Sequence, residues 1–279
     1  VLALGADQIR IPCEGNATEE ILTVNDLEDY AKFRNAITGQ KKVAILGAGL
    51  IGCEFANDLV LGGHEVDVID LAPQALGRLI PEIAAKELQA KLGAAGVRWH
   101  FNTTATSIDR IQNQIQITLA NGELLNSDVV LSAIGLKPRI DLAKASGINT
   151  GNGIQVNRHL ETNVPHIYAI GDCAEVEGLV LPYVMPIMQA ARALAVTLTS
   201  QSTPLTYPAM PVMVKTPTLP TIVSPAAKDA MGTWKTQAVE GGIEARFESA
   251  DGKLLGFVLM GTATAQRAAL TKELPPILA

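Results

Sequence analysis

The sequence is poor in the residues that build metal centres, disulfide frameworks and nucleic-acid surfaces. It carries 3 cysteines and 4 histidines in 279 residues. Cys13, Cys53 and Cys173 lie too far apart for a CxxC pair or a zinc-ligand pattern, so neither a disulfide scaffold nor a structural zinc site is expected. That usage points to a reducing compartment, and the expected location is the cytoplasm. His64, His100, His159 and His166 are scattered at expected strand edges without ligand spacing, so no metal is expected either. The net charge of −6 gives no reason to expect nucleic acid. Long apolar runs are scarce. The one membrane-like stretch, Leu179 to Leu198, contains Pro182, Pro186, Gln189 and Arg192, and reads as a buried core helix rather than a span. With 48% hydrophobic and 18% charged residues, the chain otherwise has the balance of a globular protein.

What is present is a set of apolar runs that halt at glycine. Val1-Leu2-Ala3-Leu4-Gly5-Ala6, Val130-Leu131-Ser132-Ala133-Ile134-Gly135 and His166-Ile167-Tyr168-Ala169-Ile170-Gly171-Asp172 each suit a buried strand ending in a turn. Only the second follows a glycine loop, Gly47-Ala48-Gly49-Leu50-Ile51-Gly52. The first follows nothing, because the sequence starts at Val1. Two endings with one beginning are expected to mark a two-nucleotide protein whose first cradle lies outside this sequence.

Around the loop, Asp26 to Ile37 reads as a helix capped by Asn25 or Asp26, and Lys42 to Leu46 as a strand. A helix from Cys53 to Leu61 is expected to stop at Gly62-Gly63. Glu65 to Asp70 suits a second parallel strand, and Pro81 to Leu92 another helix. Arg98 to Leu119 reads as strands with polar breaks, followed by a turn at Asn121-Gly122. Past Thr203, prolines punctuate short strands. Asp251-Gly252 marks a hairpin between Ile243–Phe247 and Leu254–Met260, and a terminal helix spans about Thr264 to Leu274.

The glycine loop carries the clearest chemistry. A pyrophosphate needs close backbone approach and the positive end of a helix. Gly47 permits the tight turn, Gly49 removes a side chain from beneath the phosphates, and Gly52 lets helix and strand pack closely. Leu50 and Ile51 complete the loop. Asp70 ends the next strand about twenty residues on, where a carboxylate accepts hydrogen bonds from ribose hydroxyls and repels a 2′-phosphate. NADH is therefore expected over NADPH. Glu54, just past the loop, has a sufficient structural reason in the helix dipole. Cys53 reads as a small packing residue.

Taken together, Val1 to Ala6, the GAGLIGCE run at 47–54, Ser132 to Arg139 and Tyr168 to Ala174 resemble the pyridine-nucleotide flavoprotein reductases, the glutathione-reductase-like superfamily. Within it, Met210 to Pro217 and Leu270 to Pro275 resemble the rubredoxin reductases. The resemblance implies an α/β fold of Rossmann-like NAD(P)- and FAD-binding domains in three layers, with a small α+β C-terminal domain. The implied segments are 1–23, the end of a truncated FAD-binding domain; 24–147, the NAD-binding domain; 148–203, the return of the FAD-binding domain; and 204–279, the C-terminal domain. FAD and NAD are the implied cofactors. Gly5, Ala6, Gly171 and Asp172 would serve the flavin, Asp172 at its ribityl chain, and backbone amides near Val184 and Met185 would face its pyrimidine ring. Glu54 would sit beside the nicotinamide, with Gly135 closing over NADH. Lys215 would lie near the flavin and the acceptor surface, and it reads equally as an exposed edge-strand lysine. No dedicated acid–base catalyst is implied; Glu54 and Lys215 stand nearest the chemistry.

The implied reaction passes electrons from NADH through flavin to rubredoxin, a small acidic iron–sulfur protein, in the service of alkane hydroxylation. Reduction of a flavorubredoxin or ferredoxin is the alternative on the same scaffold, and a catalytically incomplete NADH-binding fragment is the alternative of another class. Lys41, Lys42, Lys137 and Arg139 either join Lys215 in a basic patch for an acidic partner or are isolated solvated charges. Two departures matter. The superfamily's N-terminal glycine loop is absent from this sequence, and the C-terminal His and Glu pair of the disulfide reductases has no counterpart. Thiol–disulfide chemistry is therefore not expected.

Overall fold

Four strands pair in parallel beneath the glycine loop. Lys42–Leu46 lies between Glu65–Asp70 and Val129–Ser132, and Val97–Phe101 extends the sheet beyond Glu65–Asp70. This is seen in a computed structural model, which describes residues 1–77, 79–199 and 201–279. Val43 to Leu46, Val66 to Ile69 and Val129 to Ser132 are all buried, as parallel strands covered on both faces must be. Asp67 is thus buried in mid-strand, although an alternating strand would have placed it at the surface.

Leu50–Leu61 and Glu82–Ala95 are the helices packed on this sheet. The first begins at Leu50, three residues before its expected start. Gly49 is its extended N-cap, and the Cys53 amide already donates to the Gly49 carbonyl at 3.0 Å. Apolar Leu50 and Ile51 therefore belong to its first turn. Pro81 is the N-cap of the second helix, which runs on to a left-handed Gly96. Leu27–Ala36 is capped by Asp26, whose side chain accepts from the Asp29 amide at 2.8 Å.

An antiparallel insert, Ala105–Ile111, Gln114–Leu119 and Leu124–Ser127, turns at Asn121-Gly122 with Gly122 at φ +84. Its Ile108, Ile115, Ile117 and Leu119 pack on Ala44, Leu46, Ile69 and Val130 of the parallel sheet. The C-terminal sheet is antiparallel, ordered Val212–Val214, Thr221–Ser224, Leu254–Gly261, Gly242–Glu248, Thr233–Val239. Asp251-Gly252 makes the expected hairpin. Val214, Leu219, Val223, Val258 and Met260 share one hydrophobic core with helices Leu50–Leu61 and Glu82–Ala95. The terminal helix is a 3-10 turn, Thr262–Gln266, leading into Arg267–Glu273. Leu274 is extended because Pro275 follows it.

The chain thus forms two compact units. One joins Arg10–Gly135 to Pro211–Leu274; the other joins Val1–Ile9, Leu136–Met210 and Pro275–Ala279. Within the second unit, Tyr207 bridges to Leu278 of the C-terminal tail.

The second unit contains little regular strand. Two expected strands are corrected there. Val1 to Ala6 supplies only an isolated bridge, Leu2 to Ala169, before Gly5 at φ +71 turns the chain into the short pair Ala6–Gln8 with Leu136–Pro138. The run at 166–171, bounded by His166 at φ +64 and Gly171 at φ +77, makes only isolated bridges, because Tyr168 pairs with Glu161 while Ala169 pairs with Leu2. Helix Val184–Thr199 buries Pro186, Ala190 and Leu194 but leaves Val184 70% and Leu198 53% exposed. It is amphipathic rather than fully buried, because its core-facing positions recur every four residues. Among the described residues, no helix is long and apolar enough to cross a membrane.

Candidate functional site

The three glycines of the loop do different work. Gly47 is held at φ +107, and a Cβ there would lie 2.6 Å from the Ala133 carbonyl oxygen. A Cβ on Gly52 would overlap the Gly47 carbonyl oxygen. Packing alone therefore requires glycine at both positions. A Cβ on Gly49 would meet nothing within 4 Å, and its φ of −73 is open to any residue. Protein packing does not explain Gly49; a ligand lying over the helix N-terminus would.

That space belongs to a cleft of about 450 Å³ at the carboxyl ends of the parallel strands, lined by Gly47, Gly49, Asp70, Leu71, Thr104 and Ile134 among others. The volume is that of a small-molecule site. Asp70 stands at its edge. One carboxylate oxygen accepts from the Ala48 amide and the other from the Ala72 amide at 2.7 Å. Asp70 thus fastens the glycine loop to its own strand end, while each oxygen keeps lone pairs for a further donor. Gly135, at φ +114, turns the chain just past the cleft residues Ala133 and Ile134.

Glu54 lies one turn into the helix and does not cap its N-terminus. Its carboxylate accepts from the backbone amide of Lys215 at 2.9 Å. The Lys215 residue itself is exposed, one position past strand Val212–Val214. Asn57, on the same helix face, is fully buried, and its side-chain oxygen accepts from the Thr218 amide at 3.1 Å. An unmatched buried amide would cost about 1–3 kcal/mol. Sequence reading missed Asn57; the available signal was the polar pair Asn57-Asp58 interrupting the apolar run Phe55 to Leu61.

In the other unit, Gly171–Cys173 forms a 3-10 turn carrying Asp172. One Asp172 oxygen is buried with no hydrogen-bond partner, and burial pushes its carboxyl above the usual range. A carboxylate with an idle oxygen is suited to accept from a hydroxyl chain, so the residues present fit the ribityl part of a flavin. Val184 and Met185 open their helix at the surface. Gly5 and Ala6 lie at the turn into the short strand pair, with Ala6 buried. Arg139 is not an isolated charge: it pairs with Asp7 at 2.6 Å and donates to the Leu4 carbonyl.

Cys13 is partly exposed. Cys53 and Cys173 are buried, and burial pushes the Cys53 thiol up to about 12. His100 is not a loose strand-edge residue. It lies 2.9 Å from Asp67 and 3.2 Å from Glu123, and Arg98 binds Asp67 through two hydrogen bonds. Among the described residues, no group of three or more His, Cys, Asp or Glu side chains could hold a metal ion.

A parallel sheet, a glycine loop before a helix, and a carboxylate at the next strand's end define a dinucleotide-binding α/β protein. Comparison with known proteins narrows that class. Residues 1–196 match the model of the pyridine nucleotide-disulphide oxidoreductases, and residues 204–274 match the rubredoxin binding C-terminal domain. The chain is 50% identical to a rubredoxin-NAD(+) reductase of Alcanivorax borkumensis, over all of this chain and 73% of that protein. It is 38% identical to a nitric oxide reductase FlRd-NAD(+) reductase of Aeromonas salmonicida, over 99% of this chain and 71% of that protein. Among solved structures, a ferredoxin reductase from Rhodopseudomonas palustris superimposes with a TM-score of 0.87 at 28% identity, over 99% of this chain and 70% of that one. The chain belongs to the pyridine nucleotide-disulphide oxidoreductase family.

Proposed function

We propose that this protein passes electrons from NADH, through FAD, to rubredoxin. The observation that carries the reading is that one compact unit holds both the nucleotide cleft and the sheet matched as a rubredoxin-binding domain. Relatives named as rubredoxin-NAD(+) reductases at 50% identity support the acceptor.

The chain's residues would divide the task as follows. The open space over Gly49 and the first amides of helix Leu50–Leu61 receive the pyrophosphate. Asp70 uses its remaining lone pairs for ribose hydroxyls and repels a 2′-phosphate, which favours NADH. Glu54 and Gly135 shape the nicotinamide slot. Asp172 accepts from the flavin's hydroxyl chain with its idle oxygen, and the start of helix Val184–Thr199 supplies amides. Bound flavin supplies the conversion between two-electron and one-electron transfer. No side chain need shuttle a proton; the protein contributes position and electrostatics. The reading places the protein in the cytoplasm, supplying electrons to alkane hydroxylation.

Stopped-flow reduction of purified rubredoxin by NADH tests the acceptor. Rapid turnover with rubredoxin, and slower turnover with flavorubredoxin or ferredoxin, is expected; the reverse order would transfer the assignment to the alternative acceptor. An absorbance spectrum of the purified chain tests flavin retention: a colourless protein that still binds NADH would mark it as a nucleotide-binding fragment.

A further inference from the structure

The helix whose N-terminus opens on the nucleotide cleft also grips the segment that follows strand Val212–Val214. Glu54 and Asn57 are three residues apart and so share a helix face. Their acceptors meet the amides of Lys215 and Thr218, which are likewise three residues apart. The gripped segment is a preformed turn: the Leu219 amide donates to the Thr216 carbonyl at 2.9 Å, and the Thr216 hydroxyl donates to the Leu219 carbonyl at 2.8 Å. Thr218's own hydroxyl is buried without a partner, so that residue is held through its backbone amide. Asn57 is fully buried, and the other buried residues of its helix, Gly52, Cys53, Ala56, Leu59 and Val60, carry no hydroxyl, amide or charged side chain. An apolar side chain would pack there; only an acceptor can engage the loop.

We propose that Asn57 is a positioning residue for the acceptor end of the reaction. With Glu54 it fixes the 215–218 turn, and with it Lys215, to the nucleotide-binding helix, so that NADH in the cleft and the acceptor-facing turn are coupled. The proposal rests on the reading of the C-terminal sheet as the rubredoxin-docking domain. Coupling of this kind is reciprocal: NADH strengthens rubredoxin binding by the factor by which rubredoxin strengthens NADH binding.

Three variants of this 279-residue chain test it. Asn57→Leu removes the acceptor at similar volume, Asn57→Asp keeps it, and Thr218→Pro deletes the donor from the loop side. Rubredoxin should bind about fivefold to tenfold more weakly to Asn57→Leu and Thr218→Pro, and within about twofold of wild type to Asn57→Asp, while the NADH dissociation constant moves by less than about twofold. Hydrogen exchange supplies a readout independent of flavin: the Lys215 amide should exchange faster in Asn57→Leu, and NADH should protect it in wild type only. Wild-type rubredoxin affinity in both Asn57→Leu and Thr218→Pro would overturn the proposal, as would a parallel loss of NADH affinity. If the wild-type chain bound no rubredoxin, the docking reading would fall; unchanged Lys215 exchange in Asn57→Leu would then overturn the latch separately.

Discussion

Each glycine of the loop answers to a different neighbour, and that separates folding from binding. Gly52→Ala drives a methyl into the Gly47 carbonyl and should lower stability by about 1–3 kcal/mol, read as a shift in the urea midpoint. Gly49→Ala meets nothing in the protein and loses only the N-cap preference for glycine, so it should lower stability by no more than about 1 kcal/mol. Its methyl would enter the space assigned to the pyrophosphate, so NADH affinity should fall at least about tenfold by calorimetric titration. Undiminished affinity in Gly49→Ala would remove the loop from the site. Asp70 carries both burdens. Asp70→Ala orphans the Ala48 and Ala72 amides, and should both loosen the loop and narrow the preference for NADH over NADPH in kcat/KM. The glycine pattern was readable in sequence because loop geometry is local. The double duty of Asp70 was not, because its partners are backbone amides that sequence leaves anonymous.

At the scale of elements, the pair of strands Glu65–Asp70 and Val97–Phe101 is joined by charge as well as by backbone. Burial by itself would raise the Asp67 carboxyl; hydrogen bonds from Arg98 and His100 overcome that and hold it at about 2. His100 is raised above its ordinary value, chiefly by its hydrogen bond to Asp67 and further by Glu123. The depressed Asp67 stabilises the fold above the unfolded carboxylate value of about 3.9, by about 2 kcal/mol, and that contribution is lost as pH falls toward 2. The raised His100 contributes fully below its unfolded value of about 6.5, and its contribution is lost as pH rises through the elevated folded value. Urea midpoints should therefore form a plateau between about pH 4 and 6.5, declining on both sides. In His100→Gln the alkaline decline should flatten; an unchanged alkaline limb would dissociate it from His100. The parallel strand expected at Glu65–Asp70 is buried on both faces, and that burial encloses Asp67. Packing also governs helix Val184–Thr199, whose apolar composition suggested full burial although only one face meets the core.

Over the whole molecule, the cleft proposed for NADH lies within one unit, and Asp172 with its idle oxygen lies within the other. A ligand that binds only the folded state stabilises it by about 2.7 kcal/mol at a hundredfold excess over Kd. NADH should therefore raise the calorimetric transition of the unit containing Gly47 to Gly52, and a rise confined to the other unit would misplace the cleft. The sequence by itself determined the nucleotide unit: the loop, its helix, the carboxylate at the next strand end and both hairpin turns. Each depends on residues close along the chain, where glycine φ and apolar period decide the outcome. Only the tertiary structure decided what Asn57, Glu54 and His100 touch. It also decided that Tyr207 pairs with Leu278. Those pairings join residues far apart in sequence. Burial forces every polar group to find a partner, yet nothing local to either residue says which one it will be.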